Sequence, residues 1–126
     1  MIFKKEHELL RKTVRDFVER EMATYPDEVD EIGSLPKEVI AKLVKHKFIS
    51  TIIPKEFGGA GADYVSYAIV MEEISRRCAS TGTYITAASL LVALPLVNFG
   101  TKEQKEKYLR PLAEGKYIGC FGLTKQ

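Results

Sequence analysis

Thr83-Tyr84-Ile85-Thr86-Ala87-Ala88-Ser89-Leu90-Leu91-Val92-Ala93-Leu94-Pro95-Leu96-Val97-Asn98-Phe99 is the stretch around which the rest of the chain must organise. It carries no charge, and no charged residue occurs anywhere between Arg77 and Lys102. A surface helix keeps one side polar, whereas a helix apolar on nearly every side must be enclosed. The stretch therefore reads as a central helix buried all round, the most buried element of the domain. About 20 apolar residues could also cross a bilayer. Here Ser80, Thr81, Gly82, Thr83, Thr86, Ser89, Pro95 and Asn98 dilute the run, and its densely apolar part, Leu90 to Val97, is too short to cross. No membrane partner is expected.

The segments on either side supply helices to enclose it. From Lys4 to about Ala23, Leu10, Val14, Phe17 and Val18 recur at helical spacing among charges, which predicts an amphipathic helix. Tyr25 to Gly33 is acidic, carries Pro26 and ends on glycine, and reads as a connecting loop. Ser34 and Pro36 open a second helix, Lys37 to about Lys45, with Val39, Ile40, Leu43 and Val44 inward. Phe48 to Ile53 is apolar and β-branched before Pro54, and reads as an extended connector. Asp63 can cap a third helix, Tyr64 to Cys78, with Tyr67, Val70, Met71 and Ile74 inside. Thr101-Lys102-Glu103-Gln104 fits a capping box and starts the last helix, with Tyr108, Leu109 and Leu112 inward. The single strand signal is Tyr117 to Thr124. The fold class expected is all-α, five or six helices with a short extended C-terminal segment, as one domain over residues 1–126.

Composition narrows the function classes. A chain of 126 residues, 45% hydrophobic and 29% charged, is ordinary for one globular core. Nineteen basic and 17 acidic residues are mixed along the chain for a net charge of +2, without the one-signed stripe that nucleic acid requires. Cys78 and Cys120 form no CxxC and no disulfide framework, and no secretory h-region precedes them, which favours a reducing, cytoplasmic setting.

Candidate chemical groups mostly have structural explanations. Gly58-Gly59-Ala60-Gly61 lacks the Gly-Lys-Ser/Thr of a phosphate loop and reads as a tight turn. His7 and His46 lie in different helices without metal-ligand spacing, so no metal site is expected and both read as surface or helix-end residues. Adjacent residues on a helix point about 100° apart, so Glu72 and Glu73 cannot be a paired acid and base and read as solvated or capping groups. Ser89 has neither G-x-S-x-G context nor a His partner, which argues against a nucleophile.

Three segments together carry a family resemblance. Pro54-Lys55-Glu56-Phe57-Gly58-Gly59-Ala60-Gly61, Glu72-Glu73-Ile74 followed by Ala79-Ser80-Thr81-Gly82, and Phe99-Gly100-Thr101-Lys102-Glu103-Gln104-Lys105 running on to Phe121-Gly122-Leu123-Thr124 resemble, in order, the amino-terminal domain of acyl-CoA dehydrogenases. The resemblance extends from about Phe3 to Thr124. It implies an FAD-dependent oxidation of an acyl-CoA to the enoyl-CoA, in which a base takes the α-proton and flavin takes the β-hydride. It also implies that the flavin β-domain and the base, which complete members carry further along, lie outside these residues, so no catalytic residue is assigned and no FAD is expected to bind this chain alone. By resemblance, Phe121, Leu123 and Thr124 touch the flavin, and Tyr84, Ala88 and Leu91, at i, i+4 and i+7, line the acyl pocket. The family continues with an acidic or amide residue and then Pro, where this chain has Lys125-Gln126. Surfaces normally covered by the other domains are expected to drive pairing as a dimer, or with a separately encoded remainder. A non-catalytic helical assembly module is the alternative reading.

Overall fold

The computed structural model describes residues 3–125. Among them are six helices and no strand: α1 (Lys5–Glu21), α2 (Tyr25–Ile32), α3 (Lys37–Lys45), α4 (Tyr64–Ser75), α5 (Ala79–Phe99) and α6 (Lys102–Ala113). In α1, Val14, Phe17 and Val18 are buried at the spacing read from the sequence. This stripe lies against α4, which in turn packs on α5. Asp63 caps α4 by accepting the Ser66 N–H at 2.8 Å. The capping box at α6 is complete, with Gln104 N–H donating to Thr101 Oγ1 at 3.1 Å and Thr101 N–H donating to Gln104 Oε1 at 2.9 Å.

Four expectations need correction. Tyr25 to Gly33 is a helix, not a loop: Pro26 sits in its first turn, where a missing N–H costs nothing, and Gly33 ends it in the left-handed conformation at φ 73°. The proline and glycine that read as loop signals are its start and stop. Phe48 to Ile53 is not extended but folds into successive turns, because Ser50, Thr51 and Ile53 carbonyls accept the N–H groups of Ala60, Ala62 and Gly61 at 2.9–3.0 Å. This closes the glycine segment into a knot in which a Cβ on Gly59 would lie 2.0 Å from the Ile53 oxygen. Tyr108 faces outward at 42% exposure, while Leu109 and Leu112 are buried. As for the expected strand signal, the chain bends at Tyr117, and residues 118–125 form neither helix nor strand.

The fourth correction concerns the helix that organises the chain. α5 is not buried all round, and α4 is the more enclosed element, with Ser66, Tyr67, Ile69, Val70, Glu73 and Ile74 buried between α1 and α5. One side of α5 is inside, through Thr81, Ile85, Ser89 and Ala93, each at 0% exposure. Its other side stands open, with Leu91 at 41% and Phe99 at 88%. Apolarity on every side showed that the helix demands cover; these residues provide it on one side only.

Candidate functional site

The open side of α5 is the place where a ligand or a further domain could be met. A middle segment of the helix, Ala87–Ala93, is π-helical, and the Leu94 N–H reaches back five residues to the Ser89 carbonyl. Ser89 Oγ donates to the Ile49 carbonyl at 2.7 Å, which ties α5 to the turn before Pro54. Its hydroxyl is thereby fully engaged in the core, in keeping with its rejection as a nucleophile.

Of the three acyl-side residues expected from resemblance, Leu91 lies on the open face and Tyr84 is half-buried at its edge. Burial pushes the Tyr84 phenol up from its ordinary value. Ala88 is 1% exposed and packs into the core rather than standing on the open face. In a helix of period 3.6 the positions i+3 and i+4 flank i almost equally, and α5 turns its i+4 residue inward. Ala87, half-buried, is the residue standing between Tyr84 and Leu91 on the accessible side. The sequence signal that could have found it is the i+3 alternative at the same spacing.

The C-terminal segment crosses this helix. A Cβ built on Gly119 would approach Val92 Cγ2 to 3.0 Å, so the tail lies directly over the π-helical stretch. Beyond that point Phe121 is 53% exposed and Leu123 78% exposed, and Thr124 is also exposed. These residues offer an unpaired backbone edge and one hydroxyl, which suits one side of a flavin ring edge. Nothing among the described residues encloses the opposite side, so the flavin donor set fits only as half of a site.

The titratable clusters lie elsewhere and hold the fold. Glu73, expected to be a solvated or capping group, is 2% exposed and accepts from three arginines. Arg15 donates Nε at 3.0 Å and Nη2 at 2.9 Å, Arg11 donates Nη1 at 2.8 Å, and Arg76 donates Nη1 at 3.2 Å. The Arg15 hydrogen bonds lead in holding its carboxyl below the usual range, against the opposing effect of burial. His7 lies in the first turn of α1, as a helix-end histidine, but is buried at 2%. Its Nδ1 accepts the Lys4 N–H at 3.0 Å, which leaves Nε2 to donate to Asp63 Oδ2 at 2.9 Å. That bond joins the starts of α1 and α4. His46 is exposed and stacks on Phe48 with ring centroids 5.4 Å apart. Among the described residues no group of three or more His, Cys, Asp or Glu could hold a metal ion.

Comparison with known proteins fits this geometry. The family model for the acyl-CoA dehydrogenase N-terminal domain matches residues 4–116. The chain is 44% identical over 125 residues to the 3-(aryl)acrylate reductase of Clostridium sporogenes, covering 99% of this chain and 33% of that protein. It is 41% identical over 119 residues to the mitochondrial short-chain specific acyl-CoA dehydrogenase of Homo sapiens, covering 94% of this chain and 29% of that protein. The solved butyryl-CoA dehydrogenase of Megasphaera elsdenii superposes with a TM-score of 0.87 at 33% identity, over 99% of this chain and 33% of that one. The chain therefore spans about a third of the length of the curated relatives it matches. The chain belongs to the acyl-CoA dehydrogenase family, as its amino-terminal helical domain.

Proposed function

We propose that the chain supplies one wall of the acyl pocket and one edge of the flavin site to an FAD-dependent acyl-CoA dehydrogenase, and that alone it neither holds FAD nor oxidises acyl-CoA. The observation that carries this reading is the open apolar side of α5 with the exposed tail lying across it at Val92. A solitary domain gains nothing by leaving Leu91, Phe99, Phe121 and Leu123 in water, whereas a domain that meets others needs such a face. Tyr84, Ala87 and Leu91 would contact the acyl chain, while the backbone of Phe121 and Leu123 and the Thr124 hydroxyl would meet the flavin edge. FAD, when bound, supplies the hydride acceptor. The short-chain specific name of one relative and the aryl-acrylate name of another support a substrate of modest size. The caffeyl-CoA reductase-Etf complex subunit of Acetobacterium woodii, 41% identical over 126 residues, suggests an electron-transferring flavoprotein as a partner of the whole enzyme. We place that enzyme in the cytoplasm as a soluble protein. By length and composition alone α5, 21 residues long with an 18-residue window of mean hydropathy 1.5, could cross a membrane, but its inner row is committed to α4 and the Ile49 turn.

The purified chain should elute colourless from gel filtration after incubation with FAD. Flavin absorbance co-eluting with the protein would overturn the half-site reading. A second reading, a non-catalytic assembly module, rests on the same exposed face: covering a few hundred Å² at about 25 cal/mol per Å² contributes several kcal/mol before association costs. Self-association is then expected as a two-fold dimer, unless a separately encoded remainder covers the face first. Light scattering at about the tens-of-micromolar concentrations suited to modest interfaces distinguishes the cases. A mass of one 14.2 kDa chain would sink the dimer.

A further inference from the structure

The fully buried residues of α5 recur at intervals of four: Thr81, Ile85, Ser89 and Ala93, all at 0% exposure. On a straight α-helix such a row drifts across the face. Four residues advance about 40° beyond a full turn, so three steps would rotate Ala93 about 120° away from Thr81. The wider turns of the π-helical segment Ala87–Ala93 absorb that drift. The same register governs the open side, where Ala87, Leu91, Pro95 and Phe99 also stand four apart, Ala87 half-buried and the other three exposed.

Ser89 occupies the centre of the buried row and is held from two directions. Its hydroxyl donates to the Ile49 carbonyl at 2.7 Å, and its own carbonyl accepts the Leu94 N–H across the five-residue π interval. We propose that Ser89 is a positioning residue: it pins the π register of α5 and so decides which side chains face the acyl side. Resting as it does on the reading of that face as an acyl wall, the assignment makes Ser89 a determinant of acyl specificity that touches no substrate. Without the pin, α5 relaxes toward an ordinary α register from Ser89 onward. Ala93 then leaves the core and Phe99 turns toward it, while residues before Ser89 keep their places.

Thiol labelling tests the register without flavin or acyl-CoA, so its failure is distinct from failure of the functional reading. In a Cys120→Ser background, Ala88→Cys and Ala93→Cys are each made with Ser89 intact and with Ser89→Ala, and labelling is followed by mass spectrometry, with buried Cys78 as internal control. With Ser89 intact, both new thiols should be protected. With Ser89→Ala, the thiol at 93 should label about tenfold or more faster, as expected for a locally opened site, while those at 88 and 78 stay protected. Unchanged protection at 93, or equal exposure of 78, 88 and 93, would overturn the proposal. Should Ser89→Ala fail to fold, the unsubstituted chain still decides: a close NMR contact between Ser89 Hα and the Leu94 amide supports the π register, and its absence refutes it.

Discussion

Replacing Glu73 by Gln keeps the shape of the side chain and removes only its charge. Glu73 is 2% exposed, yet the arginines around it are not sealed in, with side chains 30% exposed for Arg11, 47% for Arg15 and 60% for Arg76. The magnitude lies between two limits. Breaking a fully buried ion pair costs about 3–5 kcal/mol because a charge is stranded, whereas an exposed pair is worth about 0–1 kcal/mol. Here the stranded charges can recover water, but Gln offers one carbonyl oxygen where Glu73 accepts four hydrogen bonds, and its amide turns a donor toward guanidinium donors. A loss of about 2–3 kcal/mol follows, at about 1.5–3 kcal/mol for a charge-assisted bond with partial recovery. Urea denaturation at neutral pH should show it as a lower midpoint with an unchanged slope. The pH dependence adds a second condition. The folded Glu73 carboxyl lies below its ordinary value, so its stabilisation is present above the unfolded value and is lost as pH falls through the folded one. The original chain and Glu73→Gln should therefore converge in acid. Equal stability at neutral pH, within about 0.5 kcal/mol, the usual scatter of a neutral surface change, or a gap that persists in acid, would refute this account of the cluster.

Lys47 holds a left-handed backbone at φ 58°, where the Cβ is penalised, so Lys47→Gly should stabilise the chain by up to about 1 kcal/mol in the same urea assay. Gly59→Ala should cost about 3 kcal/mol or more, because its Cβ would meet the Ile53 oxygen at 2.0 Å and break the turn, while Gly58→Ala, with φ 89° and its nearest neighbour at 3.8 Å, should cost about 1–2 kcal/mol from backbone strain alone. Asp63→Ala removes the α4 cap, worth about 1 kcal/mol, and leaves the buried His7 Nε2 without its acceptor, for about 1–3 kcal/mol more. The Asp63 carboxyl sits at about 2, held there first by the Ser66 backbone N–H, so this difference should be present above the ordinary carboxylate value and disappear as pH falls toward 2. Leu91→Asp combined with Phe99→Asp should shift any dimer toward monomer in light scattering without lowering the helical circular dichroism, since both side chains are exposed within one copy.

What the sequence made legible, and what it hid, divides along one physical line. Periodicity and capping are local, and they placed α1, α3, α4 and α6 within a few residues, along with the Asp63 cap and the Thr101 capping box. Burial depends on what lies opposite, which no local pattern contains. The apolar run Thr83 to Phe99 demanded cover, and the inference that cover exists was wrong for the face bearing Leu91 and Phe99. The reverse befell Glu73, read as solvated or capping but buried because Arg15 arrives from 58 residues away, while His7 is at a helix end as expected yet buried because Asp63 arrives from 56 residues away. The inward turn of Ala88 was hidden for a subtler reason: the i, i+4, i+7 rule assumes one helical period, and Ser89 reaches across 40 residues to Ile49 in a segment that departs from it. The tail shows the same division: Tyr117 to Thr124 carries a strand signal, but a strand needs an edge to pair with, and none lies beside it among the described residues. Each of these features sits where another part of the fold meets the element from a distance, and those in α5, the buried Ala88 and the open face, fall on or beside the proposed site. That is expected of a wall built to face a partner, because its residues are chosen for a contact that the local sequence does not contain.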